Sequence, residues 1–584
     1  MPGLFGGSES APSTDTLSTA VYRQPFHGMD CLSTEPPLGV VHHGDADPHG
    51  YAVVDDGGVA GAVYGTISNH RGTLSPELVK RVLDDPEATL PSLEGPFALA
   101  CLDRSSGRFV LATDKLGTRA LYYTTREPFA FASDLQPVLT AVDDPTVDEQ
   151  AVSDLLSMAH IWGSKTLVEE VRSLRPASYV QYEDGEWDQR RYWTFSFGSR
   201  TDSRYVPDLA ATYADAVSEV AETTPDTLGL WLSGGLDSRI LAGTLASERH
   251  PFRAYTYDRP LEHEFDPFLS SIELASRVSE TLGVDHRIVD FDPATLLDRV
   301  PDLVDITAGQ VGWNTVVNLS AVFEVDAEET PVMMEGSVPI VCGEHVWASY
   351  LGGSSHPADA LYEMHARRDA GQVKDVLACD VEPKDTFIDE ARAAPHAGRD
   401  DRILSATHQN YNSRKHFTNN KVARAHLGTR EFLAHGDLLD VIGDMPAAYR
   451  TQTIPFTGDR IPHVPSKLKL RLLRELDGGL VDIPYEGTQF PPSYPHVLHG
   501  AGFVVKNVVQ RTLSSSTLGN WYRERDDFRA FVDRLLDSAA RRDVFDREGI
   551  ERVRATHLAG DADRIGFIAP ITTVELFLQN VLDR

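Results

Sequence analysis

The sequence predicts two domains of different fold class: an antiparallel α+β sandwich, then a doubly wound parallel α/β sheet with a helical C-terminal region. Three observations support this prediction. At 584 residues the chain is too long for a single core. Its first part alternates short β-like stretches with Gly, Pro and Asp turns. From about residue 205, strand-like and helix-like stretches alternate, which is typical of a parallel sheet.

The first domain is predicted over residues 1–195. Its β-like stretches include GYAVVDDGGVAGAVYG, PFALACLD, RFVLATD and ALYYTT, and helices are predicted around 75–83 and 148–158. Because these strands are joined by short turns, we expect antiparallel pairing. The polar stretch GSRTDSRYVPD is expected to link this domain to the next.

The second domain is predicted over residues 205–500. VPDLAATYADAVSEVAET has apolar residues at helical spacing, and TLGLWLSGGLDSRILAGTLASE reads as a buried strand, a glycine turn and a helix. FRAYTY, SIELASRVSETLG and DHRIVDF continue as strand, helix and strand. Beyond about residue 350 the pattern is mostly helical, and residues 501–584, which end in the apolar ITTVELFLQNVL, are predicted to be a helical extension.

The amino-acid composition makes some classes of binding partner less favourable than others. The chain has 87 Asp and Glu against 54 Lys and Arg, a formal charge of −33, and only ten of its cations are lysines. The electric field of this negative charge disfavours binding to nucleic acid and to anionic membranes. The combination of abundant Asp with little Lys resembles the composition of proteins from halophiles that accumulate salt. Four scattered cysteines have no metal-ligand spacing. No secretion signal or run of ~20 apolar residues is evident, so a cytoplasmic location is expected.

The sharpest motif is Ser233-Gly234-Gly235-Leu236-Asp237-Ser238, between the strand LGLWL and an apolar helix. Two glycines allow a tight turn and close backbone approach to a ligand, and amides at a helix start favour an anion. The hydroxyls add donors, and a carboxylate beside phosphates suits a divalent cation. A capped Gly-rich turn is the plainer interpretation, but six residues in this frame favour nucleotide binding. The motif lacks the Gly-Lys-Ser/Thr of a Walker loop.

These residues resemble the pyrophosphate loop of the ATP-pyrophosphatase group, most closely the asparagine synthetase family. LWLSGGLDSR is similar to the family's V-x-L-S-G-G-L-D-S-S, and ASRVSETLGVDHRIVDF to A-x-x-V-A-x-x-L-G-T-x-H-H-E-V. HLGTREFLAHGDLLDVIGDMP resembles G-x-E-x-R-x-P-F-L-D-x-x-L-V-E…L-P. It keeps five family positions in register: Gly428, Arg430, Phe432, Leu439 and Pro446.

The N-terminal part resembles the family's glutamine amidotransferase domain, of Ntn-hydrolase type with αββα layers. EGPFALACLDRSSGRFVLATDKLGTRALYYT is similar to G-x-F-A-F-A-L-W-D…L-x-L-A-R-D-R-L-G-x-R-P-L-Y-Y. The resemblance implies two active sites: the first hydrolyses glutamine with a Cys at position two, and the second adenylates a carboxylate with ATP so that ammonia displaces AMP.

The resemblance also implies that glutamine hydrolysis is lost. Pro2 supplies no nucleophile. The family's N-G-E-I-Y-N stretch appears as YGTISN, so Tyr64 and Thr66 replace the Asn and Glu, and Pro96 is a third change. We expect a degenerate glutaminase pocket in a domain kept as a scaffold or interface.

The synthetase site is partly retained. The resemblance implies ATP contacts from the SGGLDS loop, from Leu232 and from Tyr257. The family's L-S-G-D-G-G-D-E-L-F-G-G-Y is eroded to MEGSVPIVCGEHVW, in which Glu335 and Gly336 stand at the first Ser and Gly, and Ser337 at the metal-binding Asp. Glu344 is either a replacement metal ligand beside Asp237 or a solvated surface acid.

Three further interpretations stay open. Lys469, in a basic cluster with Lys467, Arg471 and Arg474, is the candidate for binding pyrophosphate, although the cluster could equally pair with surface carboxylates. His286 matches a family histidine, but a structural role at a strand end is favoured. The family's acceptor motif D-E-P is replaced by TAGQVGW, so aspartate as the substrate cannot be assumed.

The sequence therefore predicts an ATP- and Mg²⁺-dependent ligase of the asparagine synthetase type, with Asp237 and Lys469 as catalytic residues. It would activate a small carboxylate as an acyl-adenylate for attack by ammonia or an amine, without hydrolysing glutamine. The alternative is a non-catalytic nucleotide-binding or interaction protein. A homodimer is possible, and the carboxylate, the nitrogen donor and the role of the last 85 residues stay undetermined.

Overall fold

The structure, a computed structural model, describes residues 1–21, 24–201, 203–224, 227–257, 269–290, 295–336, 351–450, 466–476, 478–513 and 517–582. Within these ranges, the N-terminal region contains twelve strands. They are β1 (Gly3–Gly7), β2 (Gly28–Thr34), β3 (Pro37–His42), β4 (Tyr51–Asp55), β5 (Val59–Gly65), β6 (Phe97–Asp103), β7 (Arg108–Thr113), β8 (Tyr122–Thr124), β9 (Ala130–Ala132), β10 (Val171–Ser173), β11 (Ser178–Glu183) and β12 (Glu186–Arg191).

These strands make two six-stranded sheets, in the orders β10-β8-β9-β1-β3-β2 and β12-β11-β7-β6-β5-β4. The paired neighbours run antiparallel, as predicted. Leu4 and Val40 of the first sheet share one buried core with Ala98 and Leu111 of the second, so the sheets pack face to face.

Helices cover both outer faces of this sandwich. They are α1 (Thr14–Ala20), α2 (Pro76–Asp84), α3 (Pro86–Thr89), α4 (Leu135–Leu139) and α5 (Glu149–Met158). Ser75 caps α2 by accepting from the Leu78 amide, and Pro76 opens it, which are the usual signals of a helix start. The predictions of helices near 75–83 and 148–158 are confirmed by α2 and α5.

The second region contains a five-stranded sheet in the order β15-β14-β13-β16-β17, and its strands pair in parallel. The strands are β13 (Leu228–Trp231), β14 (Phe252–Tyr257), β15 (His286–Val289), β16 (Val332–Glu335) and β17 (Gly428–Glu431). The helices among them are α6 (Tyr205–Ala221), α7 (Asp237–Ser247), α8 (Ser271–Leu282) and α9 (Leu296–Ile306). The predicted parallel α/β sheet is therefore present, and α6 begins inside the predicted linker.

The remaining chain is mostly helical. Its α-helices are α10 (Pro357–His365), α11 (Ala370–Lys374), α12 (Asp385–Ala393), α13 (Arg399–Thr407), α14 (Lys421–Arg424), α15 (Gly436–Gly443), α16 (Ala447–Arg450), α17 (Lys467–Leu476), α18 (His496–Leu513), α19 (Thr517–Glu524), α20 (Asp526–Ala539), α21 (Arg547–Leu558) and α22 (Ile565–Leu582). A ten-residue π-helix, His408–Phe417, follows α13 directly. This agrees with the expectation of a mostly helical pattern beyond about residue 350. Strand β17 lies within this stretch and was not predicted, because GTRE lacks the apolar alternation that marks a strand.

The C-terminal helices belong to the main core. Phe567 and Phe577 of α22 share a hydrophobic cluster with Leu155 of α5 and Leu303 of α9. Trp313 donates from Nε1 to the Thr572 hydroxyl at 2.9 Å. Helix α22 is long and apolar enough to cross a membrane, and it is the one such helix among the residues described, but much of it is buried inside the protein.

Candidate functional site

A cavity of about 280 Å³ lies at the carboxyl ends of the parallel strands. The chain leaves β13 toward β14 on one side, and β16 and β17 are added on the other, so the strand order reverses between β13 and β16. Ligands of open α/β sheets bind at such a switch point. Residues from the ends of β13, β14, β16 and β17 line the cavity, together with the π-helix and α14.

The predicted glycine loop forms one side of this cavity. Ser238 Oγ accepts from the Ser233 amide at 3.0 Å and lies 3.0 Å from Ser233 Oγ. The Ser233 hydroxyl in turn accepts from the Gly235 amide at 3.2 Å. These bonds fold the loop back onto the start of α7, so Ser233, Asp237 and Ser238 line the cavity.

The two glycines are needed for different reasons. A Cβ on Gly234 would lie 3.0 Å from Leu274 of α8 and 3.1 Å from the Cβ of Glu486. Among the described residues, a Cβ on Gly235 would approach only the Ser233 hydroxyl, at 3.2 Å. Gly234 therefore allows the loop to pack against protein, whereas the expectation of open space for a close ligand fits Gly235 alone.

Asp237 and Lys469 form the central ion pair of the site. Lys469 Nζ lies 2.5 Å from Asp237 Oδ1, and the lysine side chain is 7% exposed while the aspartate is 33% exposed. Lys469 reaches the loop because α17 packs beside α7, with Leu468 and Leu472 in the same core as Ile240 and Leu241. The predicted lysine is thus turned inward from its basic cluster.

The side of the cavity formed by β13, β14 and β16 is apolar. Trp231 and Tyr257 meet edge to face with ring centroids 5.2 Å apart, and Met333 lies beside them. Leu319 and Val322, from a 3₁₀ segment Val317–Glu324, close this part of the wall. Flat aromatic and branched side chains of this kind suit a planar, weakly polar ring.

Another part of the cavity wall carries Glu335, at the end of β16. Its carboxylate accepts from Asn420 Nδ2 at 2.9 Å and from Arg424 Nη1 at 3.1 Å. Arg119, from the N-terminal region, lies 3.9 Å away and is stacked over the Tyr64 ring at 5.9 Å. Glu335 is therefore a buried carboxylate whose position depends on both regions of the chain.

A second carboxyl group lies near Glu335. Glu431, at the end of β17, is fully buried and accepts from the Leu433 amide at 3.0 Å. Burial, together with the charge of Glu335, raises the pKa of Glu431 well above its ordinary range. The protonated form of Glu431 is favoured, and it leaves the negative charge at this wall on Glu335.

The π-helix supplies the rest of that wall. It places His416 against the cavity, followed by Asn419 and Asn420. Such i→i+5 segments are rare and occur often at functional sites. Burial lowers the pKa of His416 to about 4, so its imidazole is neutral near pH 7.

Protonation of His408, at the start of the π-helix, is expected to destabilise the protein in acid. Burial lowers its pKa to about 4, and its Nδ1 accepts from Asn412 Nδ2 at 2.8 Å, which requires an unprotonated ring. Unfolded histidine titrates near 6.5, so the unfolded state binds the extra proton first as the pH falls. We expect the free energy of unfolding to decrease from about pH 6.5 toward pH 4. In urea titrations, His408→Gln should reduce this slope between pH 6.5 and 5; an unchanged slope contradicts the assignment.

The structure places the predicted nucleotide residues as follows. The cavity lining contains Leu232, Ser233, Asp237, Ser238, Tyr257, Glu335 and Gly336. Gly234 and Gly235 lie in the loop behind it, and the Leu236 side chain is buried in the core. Glu344, the predicted second metal ligand, and Ser337 lie outside the described residues.

His286 supports the loop indirectly. The Thr256 hydroxyl donates to the carbonyl of Leu232 at 2.6 Å, so His286 Nε2 donates to that hydroxyl at 2.8 Å. The favoured interpretation of a structural histidine at a strand end agrees with this geometry.

The residues predicted to form a degenerate glutaminase pocket are all buried. Pro2 precedes β1 in the first sheet, whereas Tyr64 lies on β5 of the second. The Thr66 hydroxyl donates to the His49 carbonyl at 2.8 Å, and its amide donates to the Pro96 carbonyl at 2.8 Å. Thr66 is thus engaged by backbone, and the Tyr64 ring lies beneath Arg119.

A buried ion pair joins the two regions beside the site. Both Asp47 oxygens accept from the Arg430 guanidinium, at 2.5 and 2.9 Å. Arg430 also donates to the hydroxyl and carbonyl of Thr223. A Cβ on Gly428 would lie 2.3 Å from Asp47 Oδ2, so glycine is required where the two regions meet.

Comparison with known proteins agrees with this arrangement. Residues 77–193 match the family model of a glutamine amidotransferase domain, and residues 209–453 match that of asparagine synthase. The chain therefore contains one region similar to glutamine amidotransferase domains, followed by one similar to asparagine synthase. The asparagine synthase domain contains the glycine loop, the Glu335 wall and the π-helix, and its match ends before Lys469.

The relatives are distant. Asparagine synthetase [glutamine-hydrolyzing] 1 of Bacillus subtilis is 24% identical over 222 residues, 37% of this chain and 34% of that protein. Asparagine synthetase [glutamine-hydrolyzing] 3 of the same organism is 27% identical over 246 residues, 39% of each chain. Amidase chyE of Penicillium rubens is 22% identical over 292 residues, 46% of this chain and 42% of its own. The chain thus spans less than half the length of these relatives.

A solved structure of glutamine phosphoribosylpyrophosphate amidotransferase from Bacillus subtilis, complexed with ADP and GMP, covers 49% of this chain and 65% of its own. It is 14% identical, with a TM-score of 0.22, which is too low to inform the site.

Several lining residues were not predicted from the sequence. Met333, His416, Asn419, Asn420 and Thr429 all line the cavity. The Asn-Asn pair inside HFTNNKVARAH is a polar signal that could have drawn attention, because adjacent amides in a helical segment are unusual. Thr429 lies in a strand of buried polar residues, for which the sequence carries no comparable signal.

Proposed function

We propose that the protein is an ATP-dependent carbon–nitrogen ligase that activates a small carboxylate as an acyl-adenylate and does not hydrolyse glutamine. One observation carries the proposal: the SGGLDS loop borders a cavity at the strand switch point, with Asp237 paired to an inward-facing Lys469. The asparagine synthase match supports the same class of reaction.

The proposed reaction has two steps. A carboxylate oxygen attacks the α-phosphorus of ATP, and pyrophosphate leaves. A nitrogen lone pair then attacks the acyl carbon, the acyl–oxygen bond to AMP breaks, and the amide forms as the nitrogen releases a proton to solvent. Activation is needed because a free carboxylate is a poor electrophile.

The residues are assigned by their chemistry. Trp231, Tyr257 and the backbone of Leu232 would hold the adenine on the apolar side. The Ser233 and Ser238 hydroxyls and the loop amides would donate to phosphate oxygens. Lys469, held in place by Asp237, would stabilise negative charge that develops on the departing pyrophosphate.

Asp237 is the residue of the glycine loop that could hold a magnesium ion. No group of three or more His, Cys, Asp or Glu side chains suited to a metal occurs among the described residues. Mg²⁺ commonly takes one or two carboxylates and completes its shell with water and phosphates, so Asp237 is sufficient as the protein ligand within the described part of the chain. When bound, the ion would neutralise phosphate charge.

The absence of glutamine hydrolysis is also proposed. Pro2 lacks a thiol or hydroxyl, and the Thr66 hydroxyl is engaged with the His49 carbonyl. The N-terminal region instead supplies Asp47, which pairs with Arg430, and Arg119, which donates to the carbonyl of the cavity-lining Thr429. A supporting role for that region follows from these contacts.

We expect the purified protein to release no glutamate from glutamine, with or without ATP. The reason is that neither a nucleophile at position two nor a carboxylate at position 66 is present to attack or hold glutamine. A coupled glutamate dehydrogenase assay measures this directly. Glutamate release above that of a heat-denatured sample would contradict this part of the proposal.

Product analysis tests the class of reaction. With a panel of small carboxylates, ATP, Mg²⁺ and ammonium chloride, we expect AMP and pyrophosphate, separated by ion-exchange chromatography, and no increase in ADP. ATP binding without AMP formation for any carboxylate would favour the alternative, a non-catalytic nucleotide-binding protein.

A further inference from the structure

We propose that the outer face of α18 is a contact surface for a second copy of this chain, which pairs with it antiparallel about a two-fold axis. The outer face consists of four exposed apolar residues: Val497, Ala501, Val504 and Val508. This inference goes beyond the proposed reaction and does not depend on it.

The inner face of α18 is docked on the protein. His499 is fully buried, with Nδ1 2.9 Å from the Thr488 hydroxyl, and a Cβ on Gly502 would lie 2.6 Å from the Thr488 carbonyl oxygen. Lys506 Nζ donates to the carbonyl of Glu486 at 2.7 Å. At 3.6 residues per turn, positions 499, 502 and 506 share one side of the helix, and the outer face lies on the opposite side.

Exposed apolar side chains concentrate on this part of the chain. Among the described residues eleven large hydrophobic side chains are exposed, and six of them lie within residues 494–508. Val497, Val504 and Val508 are 71%, 42% and 58% exposed. A helix that is apolar on both sides is usually buried on both, and contiguous exposed apolar surface usually marks a binding surface. The outer face therefore has the properties of a protein contact.

The spacing of the outer face indicates what binds there. Its four positions follow one another at intervals of four, three and four residues, the pattern of a coiled-coil seam. These intervals are the same when read in either direction. An antiparallel copy related by a two-fold axis therefore places Val497 opposite Val508 and Ala501 opposite Val504, and each contact occurs twice. Because Ala501 is small, the two helices can approach closely near the middle.

Charge also favours a second copy at this face. The chain carries a formal charge of −33, so two copies repel each other in general. Although 87 of the 584 residues are Asp or Glu, residues 487–523 contain neither and form the longest such stretch of the chain. Helix α18 thus brings no acidic group of its own to the contact. The outer face has no lysine or arginine either, which disfavours an anionic membrane as its occupant.

Sedimentation velocity of the full chain, at protein concentrations from about 1 to 200 μM, tests the proposal. We expect wild type to shift reversibly from monomer toward dimer over this range, because two paired helices bury less area than a standard interface. Association should be stronger in about 1 M potassium chloride, where charges are screened within about 3 Å, than in about 0.1 M. Weaker association at the higher salt would contradict an apolar contact.

Val504→Glu should raise the dissociation constant of the dimer by at least about 100-fold, because the two-fold axis brings both new carboxylates into an apolar contact. The control Ile388→Glu introduces the same charge at an exposed apolar position of α12 and should dimerise as wild type does. Adding Ala501→Lys to Val504→Glu should restore association, since position 501 of one copy faces position 504 of the other.

A wild type that stays monomeric at the highest concentration would overturn the proposal, as would Val504→Glu that dimerises like wild type. No recovery in the double variant would reject the antiparallel arrangement. Should Val504→Glu fail to fold, Val497→Glu, at the most exposed position of the outer face, decides in its place. Monomeric wild type that floats with phosphatidylglycerol vesicles, but loses this binding in Val504→Glu, would assign the face to a membrane and reject the second copy.

Discussion

Replacing Lys469 by methionine is expected to lower the rate of AMP formation by about 100- to 1,000-fold, the usual effect of losing one group that stabilises developing charge. The Lys469 ammonium lies 2.5 Å from Asp237 at the mouth of the glycine loop, and its side chain is 7% exposed. Methionine has a similar length and is apolar, so the core contacts of α17 should survive. Steady-state AMP formation measures the effect.

The matched control is Lys467→Met, which changes the same residue type on an exposed position of the same helix. We expect its rate to stay near that of wild type. Asp237→Asn should resemble Lys469→Met, and the double variant should be little worse than either single one, because the two groups act as a unit. Full additivity of the two losses would argue against a coupled pair.

Replacing Arg430 by methionine is expected to destabilise the protein by about 3–5 kcal/mol, the typical cost of removing one partner of a buried ion pair. Asp47 would be left in the interior, where the Arg430 charge now keeps its pKa below the ordinary range despite burial. Asp47 belongs to the N-terminal region and Arg430 to β17. Losing this ion pair should therefore let the two regions come apart at a lower urea concentration. Urea unfolding followed by tryptophan fluorescence measures it.

Two variants make this result interpretable. Arg552→Met removes an exposed arginine whose nearest carboxylates, Asp546 and Glu548, lie 3.8 Å away or more, and it should cost less than about 1 kcal/mol. The double variant Asp47→Asn with Arg430→Met should recover part of the lost stability, because no uncompensated charge remains. A stability equal to wild type for Arg430→Met alone would contradict the role of this pair.

The glycine loop and its flanking elements were predictable because residues close together in the sequence determine their structure. LGLWL is a short apolar run, the glycines interrupt it, and α7 follows at helical spacing. The antiparallel N-terminal sheets were predictable for the same reason, since turn residues separate their strands. The inward direction of Lys469 could not be read from KLKLRLLRE, because the side that faces the core is set by packing against α7.

The wall that carries Glu335 was not predictable in this way. The residues that hold it, Arg119 and Arg424, lie 216 and 89 positions away in the sequence and belong to different regions. The Asp47–Arg430 pair spans 383 positions. Strand β17 consists of buried polar side chains that are acceptable only because partners from elsewhere satisfy them, so its pattern resembles a surface loop. A π-helix, likewise, has no distinct periodicity in the sequence.

ATP–pyrophosphate exchange tests the central claim most directly, because it detects reversible formation of an acyl-adenylate without the nitrogen donor. Labelled pyrophosphate is incubated with the full chain, ATP, Mg²⁺ and each member of a carboxylate panel, beside Asp237→Ala. We expect label to enter ATP with at least one carboxylate, to depend on that carboxylate, and to be abolished in Asp237→Ala. Tight ATP binding with no exchange for any carboxylate, or exchange that Asp237→Ala leaves intact, would contradict it.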